Sequence, residues 1–288
     1  MKTTSIDCFM ILRQIACAAL VISFALGCAR SEEDVVPKAI ELIQQGKTDD
    51  AIKLLTQTLE KDTKNLALYK VRSRIYMRLN DHAKAAADLN QVAELGELAA
   101  YRHAGAEYFY AGNFAASLAA FDACAKHFPN QAPQLWERGI TLYYLKRFAD
   151  GRKQFEDHKA VNPHDVENAA WHFICAAKET SVEQARKALI FIDTDQDTRI
   201  PMKQVYLLFK GDGKPEDVLA AATAGNPGAD ALKNQLCYAH LYLGLYFEAL
   251  GETKKAREHL EKSAVEFGED HYMGQVGRVH WATIKDVK

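Results

Sequence analysis

The stretch YRHAGAEYFYAGNFAASLAAF, Tyr101 to Phe121, with Pro129 shortly after it, decides how this chain folds. Two alanine- and aromatic-rich runs flank Gly112-Asn113, residue types that tolerate the left-handed backbone of a tight turn. On the first run Tyr101, Ala104, Gly105 and Tyr108 recur at helical spacing, and on the second Ser117 and Phe121 stand four residues apart on one face. The pattern predicts two antiparallel helices joined by a short turn. Such helices approach closely only where both present small side chains at the crossing, and Gly105 and Ser117 occupy those places.

Working outward, units of the same design start near Ser31 or Glu32, at Leu66, at Leu98, at Ala132 and again at Cys237. The small position of the first helix is Ala39, Ser73, Gly105, Gly139 and Gly244 in turn; that of the second is Ala51, Ala85, Ser117, Gly151 and Ala256. Gly46, Asn80, Gly112 and Gly251 stand at the ends of the first helices, with Lys146 in that place in the fourth unit. Leu55, Leu89, Phe121, Phe155 and Leu260 supply bulk where a neighbouring hairpin must be covered. The spacing Tyr101-x2-Ala104-Gly105-x2-Tyr108, Gly112-Asn113, Ser117-x3-Phe121, Pro129 resembles the tetratricopeptide repeat, over about 32–163 and again 237–268. The resemblance implies an all-α fold of helical hairpins stacked into a right-handed superhelix, an α-solenoid.

The expected organisation is a signal segment 1–27, a linker 28–31, four hairpins over 32–165, an irregular helical segment 166–236, a fifth hairpin 237–268 and a C-terminal capping helix 269–288. Within the irregular segment, helices are expected over Val166–Thr180, Val182–Leu189, Pro201–Lys210 and Pro215–Ala224, with Phe173 replacing the usual small residue. His271–Val287 is expected to cover the last hairpin.

The N-terminus is a separate object. Lys2 and Arg13 flank a polar start, and the apolar run Ile15–Leu26 is long enough for a signal sequence but too short to span a bilayer. It ends in Ala25-Leu26-Gly27-Cys28, which resembles the bacterial lipobox. The likeness implies cleavage before Cys28 and acylation of that residue, and more than one acyl chain gives stable anchoring. Ala25, where a larger aliphatic residue is usual, and the acid Asp7 depart from the pattern; a start at Met10 would remove the acid. Ala29, rather than Asp, after the cysteine implies the outer membrane in a Gram-negative cell. An ordinary secretory peptide that happens to end at Cys28 is the other reading of these residues.

Composition limits the function. Of 288 residues 48% are hydrophobic, enough for a sizeable core, and 36 basic against 38 acidic residues leave a formal charge of −2 without a basic block to hold a nucleic-acid backbone. No cofactor motif is present, and a protein or peptide partner is expected. Arg138–Tyr144 and Tyr242–Gly251, separated by an irregular helical middle, resemble the NlpI-type outer-membrane lipoproteins. That resemblance implies a homodimeric adaptor linking a periplasmic protease to peptidoglycan hydrolases.

First helices line the inner face of such an array, so residues four, seven and eight apart define the expected partner groove. These are Lys70, Arg74 and Arg78 in the second unit, Arg102, Phe109 and Tyr110 in the third, and Trp136, Ile140, Tyr143 and Tyr144 in the fourth. A groove cationic at one end and aromatic at the other suits an acidic peptide with apolar anchors. Periodicity alone does not separate this from a solvated basic face and aromatics packed between hairpins. The asparagines of a carboxylate clamp are absent from the matching positions.

The rival class is an envelope enzyme or metal protein seated at 154–172, where His158, His164 and His172 lie among Glu156, Asp157, Asp165 and Glu167. Their spacing matches no close ligand pair on one helix, and Asp165 is better placed to cap the helix at Val166. Asp193-x-Asp195-x-Asp197 resembles a calcium loop but carries Thr198 for the turn glycine and Gln204 for the closing Glu, which makes it an acidic surface loop. Cys124, Cys175 and Cys237 show no paired spacing, although export would allow one pair to oxidise. A third reading is a structural envelope component whose main property is dimerisation.

Overall fold

The computed structural model describes residues 35–286. Cys28 and residues 1–27, expected to be a signal segment, lie outside the described residues, which are mostly helical and contain no strand. The chain divides between Leu79 and Asn80 into two compact units.

In the first unit α1 (Val35–Gln44) and α2 (Thr48–Leu59) form a hairpin, and α3 (Leu66–Arg78) packs on both. Gly46 turns the hairpin at φ 75°. Ala39 and Ala51 are fully buried and let the two helices close, while Leu55, Leu59, Leu68 and Ile75 fill the core. Asn65 starts α3 by accepting the Leu68 N–H at 3.3 Å, which satisfies one of the donors a helix start leaves open.

The second unit runs through α4 (His82–Glu94), α5 (Ala100–Tyr110), α6 (Phe114–His127), α7 (Trp136–Tyr144) and α8 (Phe148–Lys159). Its irregular middle is α9 (Val166–Glu179), α10 (Val182–Lys187), α11 (Met202–Lys210) and α12 (Pro215–Thr223). The last hairpin is α13 (Ala229–Ala249) with α14 (Thr253–Glu261), and α15 (Tyr272–Ile284) follows.

All ten small positions read from the sequence are buried. At the crossings the notch is used to its limit: a Cβ on Gly105 would stand 2.8 Å from Phe121 Cε1, and one on Gly139 2.6 Å from Phe155 Cζ. In these two hairpins the large residue of the second helix thus lies against the bare backbone of the first. The Ser117 hydroxyl adds a buried hydrogen bond across its crossing, donated to the Gly105 carbonyl at 2.7 Å.

The turns carry positive φ even where the sequence has no glycine: Lys146 sits at φ 59°. A side chain in that region costs about 1 kcal/mol that glycine avoids. Lys146→Gly is therefore expected to raise stability by roughly 0.5–1 kcal/mol, a gain of about 2–3 °C in Tm in a thermal melt.

One helix starts earlier than expected. α13 begins at Ala229, about two turns before Cys237, and packs on α12. In the degenerate unit Phe173 is fully buried and meets the Phe209 ring of α11 at 5.1 Å.

Candidate functional site

Of the residues expected to line a groove, Lys70, Arg74 and Arg78 belong to the first unit and the rest to the second. In the first unit α1 and α3 enclose an open hollow of about 400 Å³. Its apolar wall comes from Ile40 and Ile43 on α1 and from Val71, Ile75 and Leu79 on α3 or just past its end. Arg74 and Arg78 line it too; both are exposed, and neither has an ion-pair partner among the described residues. Lys70, half-buried, does not contribute to the lining. The hollow leaves Ile40 45% and Leu79 52% exposed. Ile40 and Ile43, and Val71 with Ile75 and Leu79, follow i, i+3, i+4, i+8 spacing, a signal present in the sequence but overshadowed by the arginine stripe.

In the second unit Phe109, Tyr110 and Trp136 are covered by the protein itself, while Tyr143 and Tyr144 line an open hollow of about 250 Å³ with Phe114 and His280. Phe109 and Ile140 are fully buried and Tyr143 is nearly so; for these the packed seam is the right description. What covers Phe109, Tyr110 and Trp136 is α15, which reaches past the last hairpin to α5. The Tyr272 ring lies 5.8 Å from Phe109, 5.4 Å from Tyr110 and 4.8 Å from Trp136, while Tyr144 packs on Phe109 at 5.2 Å and on Phe114 at 4.7 Å. Arg102 is also engaged: its Nε and Nη2 donate to Glu137 Oε1 at 3.0 and 2.7 Å. The expected aromatic groove is thus filled in part, over Phe109, Tyr110 and Trp136, by the protein's own C-terminal helix.

A polar lock holds that helix. His280 Nε2 lies 2.6 Å from Glu248 Oε2 and its Nδ1 2.9 Å from the Tyr144 hydroxyl, while Tyr143 and Lys178 donate to Glu248 Oε1, each at 2.9 Å. The consistent assignment has Tyr144 O–H donating to Nδ1 and Nε2–H donating to the carboxylate. Burial alone would raise the Glu248 carboxyl, but the donors from His280 and Lys178 outweigh it and hold the group well below the usual carboxylate range. A depressed carboxylate stabilises the fold above its unfolded pKa and loses that contribution as pH falls. Denaturant unfolding should therefore show about 2 kcal/mol lost on acidification below roughly pH 4.5, and Glu248→Gln should flatten that limb.

The residues of the rival reading are spread over structural tasks. His158 Nδ1 bonds the Pro133 carbonyl at 2.9 Å, His172 lies 3.4 Å from Glu156, and His164 is exposed. Asp165 caps α9, its Oδ1 accepting the Glu167 N–H at 3.1 Å. In the acidic loop Asp195 pairs with Lys203 and Asp197 with Arg199. Among the described residues no His, Cys, Asp and Glu side chains group to hold a metal ion. Cys124, Cys175 and Cys237 are free and buried, and burial pushes each thiol up, away from nucleophilic reactivity.

Comparison with known proteins agrees with the hairpins. Residues 42–107 match the tetratricopeptide repeat family. No curated protein matches the chain. Among solved structures, a tetratricopeptide repeat protein from Parabacteroides merdae is similar over 89% of this chain and 100% of its own, at 14% identity and TM-score 0.54. YrrB, a repeat protein with an unusual peptide-binding site, matches over 78% of this chain and 97% of its own at 17% identity, with a TM-score of 0.38. The type IV pilus biogenesis factor PilW matches over 85% and 97% at 15% identity and TM-score 0.38. The fold is thus an all-α array of tetratricopeptide-type hairpins, an architecture whose repeated inner faces suit protein or peptide binding.

Proposed function

We propose that this protein is a non-enzymatic scaffold of the bacterial envelope, anchored by acyl chains on Cys28, and that a partner's acidic segment with apolar anchors docks in the hollow between α1 and α3. The observation that carries the reading is the pairing of unneutralised Arg74 and Arg78 with the exposed Ile40 and Leu79 around one hollow. Arginine beside apolar pockets is a recurring anchor of protein interfaces, and exposed large hydrophobics grouped on one surface are otherwise unfavourable. The partly filled aromatic groove of the second unit supports placing the partner on the first.

The lipobox-like Ala25–Cys28 supports the anchor, and Ala29 the outer membrane facing the periplasm. The likeness of Arg138–Tyr144 and Tyr242–Gly251 to NlpI-type lipoproteins supports a dimeric adaptor between a protease and peptidoglycan hydrolases.

The test places a photo-crosslinking residue at Ile40 in intact cells and identifies what it captures. A discrete protein is expected, and Arg74→Glu with Arg78→Glu should weaken its binding on the order of 30-fold, as reversal of two interface charges does. Cys28→Ser should move the protein from the membrane to the soluble fraction. Capture unchanged by the charge reversal would remove the hollow from the proposal, and membrane retention of Cys28→Ser would remove the anchor.

A further inference from the structure

A second cavity, of about 230 Å³, lies where α7, α8, the start of α9 and α15 converge in the second unit. Its apolar walls are Trp136, Phe155, Trp171 and Met273, the last three almost wholly buried. Its polar side carries Asp165, Glu167 and Asn168 from α9 and its cap, with Arg199. The volume is below the ~300 Å³ from which small-molecule sites usually start, and suits one extended side chain or a molecule of that size.

Two observations distinguish it from a packing defect. Trp171 is 1% and Asn168 3% exposed, and both line the cavity, yet neither the Trp171 indole Nε1 nor Asn168 Oδ1 has a hydrogen-bond partner. Asn168 cannot reverse its amide to escape this, because its Nδ2 already donates to the Phe155 carbonyl at 2.9 Å. A buried donor and a buried acceptor left unmade are each costly, and their coincidence in one cavity marks a place for a group that offers both.

The second observation is charge. Arg199 answers Asp165 and Asp197 at 2.6 and 2.7 Å and Glu167 as well, so one guanidinium stands against three carboxyls. His158 Nε2 is 3.8 Å from Asp165, and the Tyr242 hydroxyl donates to Glu167 at 2.6 Å, a phenol that supplies no countercharge. Burial accordingly pushes the Glu167 carboxyl up to about 7 despite Arg199 beside it. The site is short of positive charge, and three aromatic rings, a residue type that attracts cations, are among its walls.

We infer that this cavity binds an alkyl cation of the lysine or arginine kind, its stem against the aromatic walls, its charged N–H groups on Asp165, Glu167 and Asn168 Oδ1, and a ligand oxygen accepting from the Trp171 indole. The same chemistry is carried by a free basic amino acid and by a basic side chain of a bound peptide. The inference stands apart from the hollow of the first unit and survives its failure.

The test is titration of the ¹⁵N-labelled full-length chain in detergent, followed on the indole N–H signals, Trp171 being assigned through Trp171→Phe. Free lysine, free arginine, a lysine residue blocked at both ends, and norleucine, which has a comparable stem without the charge, are the probes. The expected result is a saturable shift of the Trp171 indole with a Kd near ~1 mM or tighter for lysine or arginine, none for norleucine, and an unmoved Trp281. Response to the blocked residue but not to the free amino acids assigns the site to a peptide side chain, and the reverse assigns it to a metabolite. Glu167→Gln should weaken binding at least ~10-fold. Equal response to norleucine overturns the cation assignment, and no saturable shift from any probe overturns the site; both results are read on the unaltered protein, whether or not the variant folds.

Discussion

Gly244→Ala is expected to destabilise the protein by about 2–3 kcal/mol and lower Tm by roughly 5–10 °C, although alanine is the better helix former by about 1 kcal/mol. Gly244 lies on α13 at its crossing with α14, and an added Cβ would stand 2.5 Å from Leu260 Cγ, 2.9 Å from Cδ2 and 3.2 Å from the Leu260 backbone nitrogen. The side chain cannot swing away, because Leu260 is fully buried, and the backbone contact cannot be relieved by any rotamer. The two helices must separate, and their interface is part of the main core. Leu260→Ala alone should cost about 2–5 kcal/mol through the space it leaves. The double variant should cost less than the sum of the singles by ~1 kcal/mol or more, since each change relieves the other. Chemical denaturation of the four proteins measures this directly; additive costs, or a Gly244→Ala protein as stable as the parent, would contradict the close crossing.

Tyr272→Ala should cost about 3 kcal/mol and release α15, whereas Tyr272→Phe should leave stability unchanged or slightly raised. The ring is the centre of the aromatic group formed with Phe109, Tyr110 and Trp136, so its removal opens a cavity among large side chains. The hydroxyl is a different matter: it is buried without a hydrogen-bond partner, and phenylalanine discards that unmet group while keeping the ring. Hydrogen exchange over residues 272–284 reports the release, and denaturant melts the energies. Faster exchange confined to this helix in Tyr272→Ala is the expected pattern. Tyr272→Phe as damaging as Tyr272→Ala would mean that the hydroxyl, not the ring, holds the helix. Release would also expose Phe109 and Trp136, so the same variant reveals whether the aromatic row can take a partner once its own helix has left.

The hairpins were readable because the information is local. A small residue, a turn former and a large residue at set distances within one repeat dictate a close crossing, and Gly105 meeting Phe121 within a single hairpin needs no distant segment. Asp165 as the cap of α9 was legible for the same reason. Lys146 shows how far the pattern reaches: the architecture imposes a left-handed turn at its position against the preference of the side chain. Arg74 and Arg78 were legible as one face of α3, but the apolar hollow they flank needed α1 beside them.

The aromatic row marks where reading along the chain ends. Periodicity places Phe109, Tyr110, Trp136, Tyr143 and Tyr144 on inner faces, and it states that they are covered or exposed together without stating which. Tyr144 meets His280 across 136 residues, and Arg199 reaches Asp165 across 34. Contacts of that separation depend on where whole helices come to rest, which packing of the completed core decides. The sequence by itself determined the helices and, in the first, third, fourth and last hairpins, their pairing and the side chains at the crossing, since these follow from spacing within a few turns. Only the tertiary structure decided that α15 fills part of the inner face of the third and fourth hairpins, and that an acid-rimmed, aromatic-walled cavity remains beside it. A helix settles on whichever apolar surface its neighbours leave uncovered, and that surface exists only once those neighbours have packed.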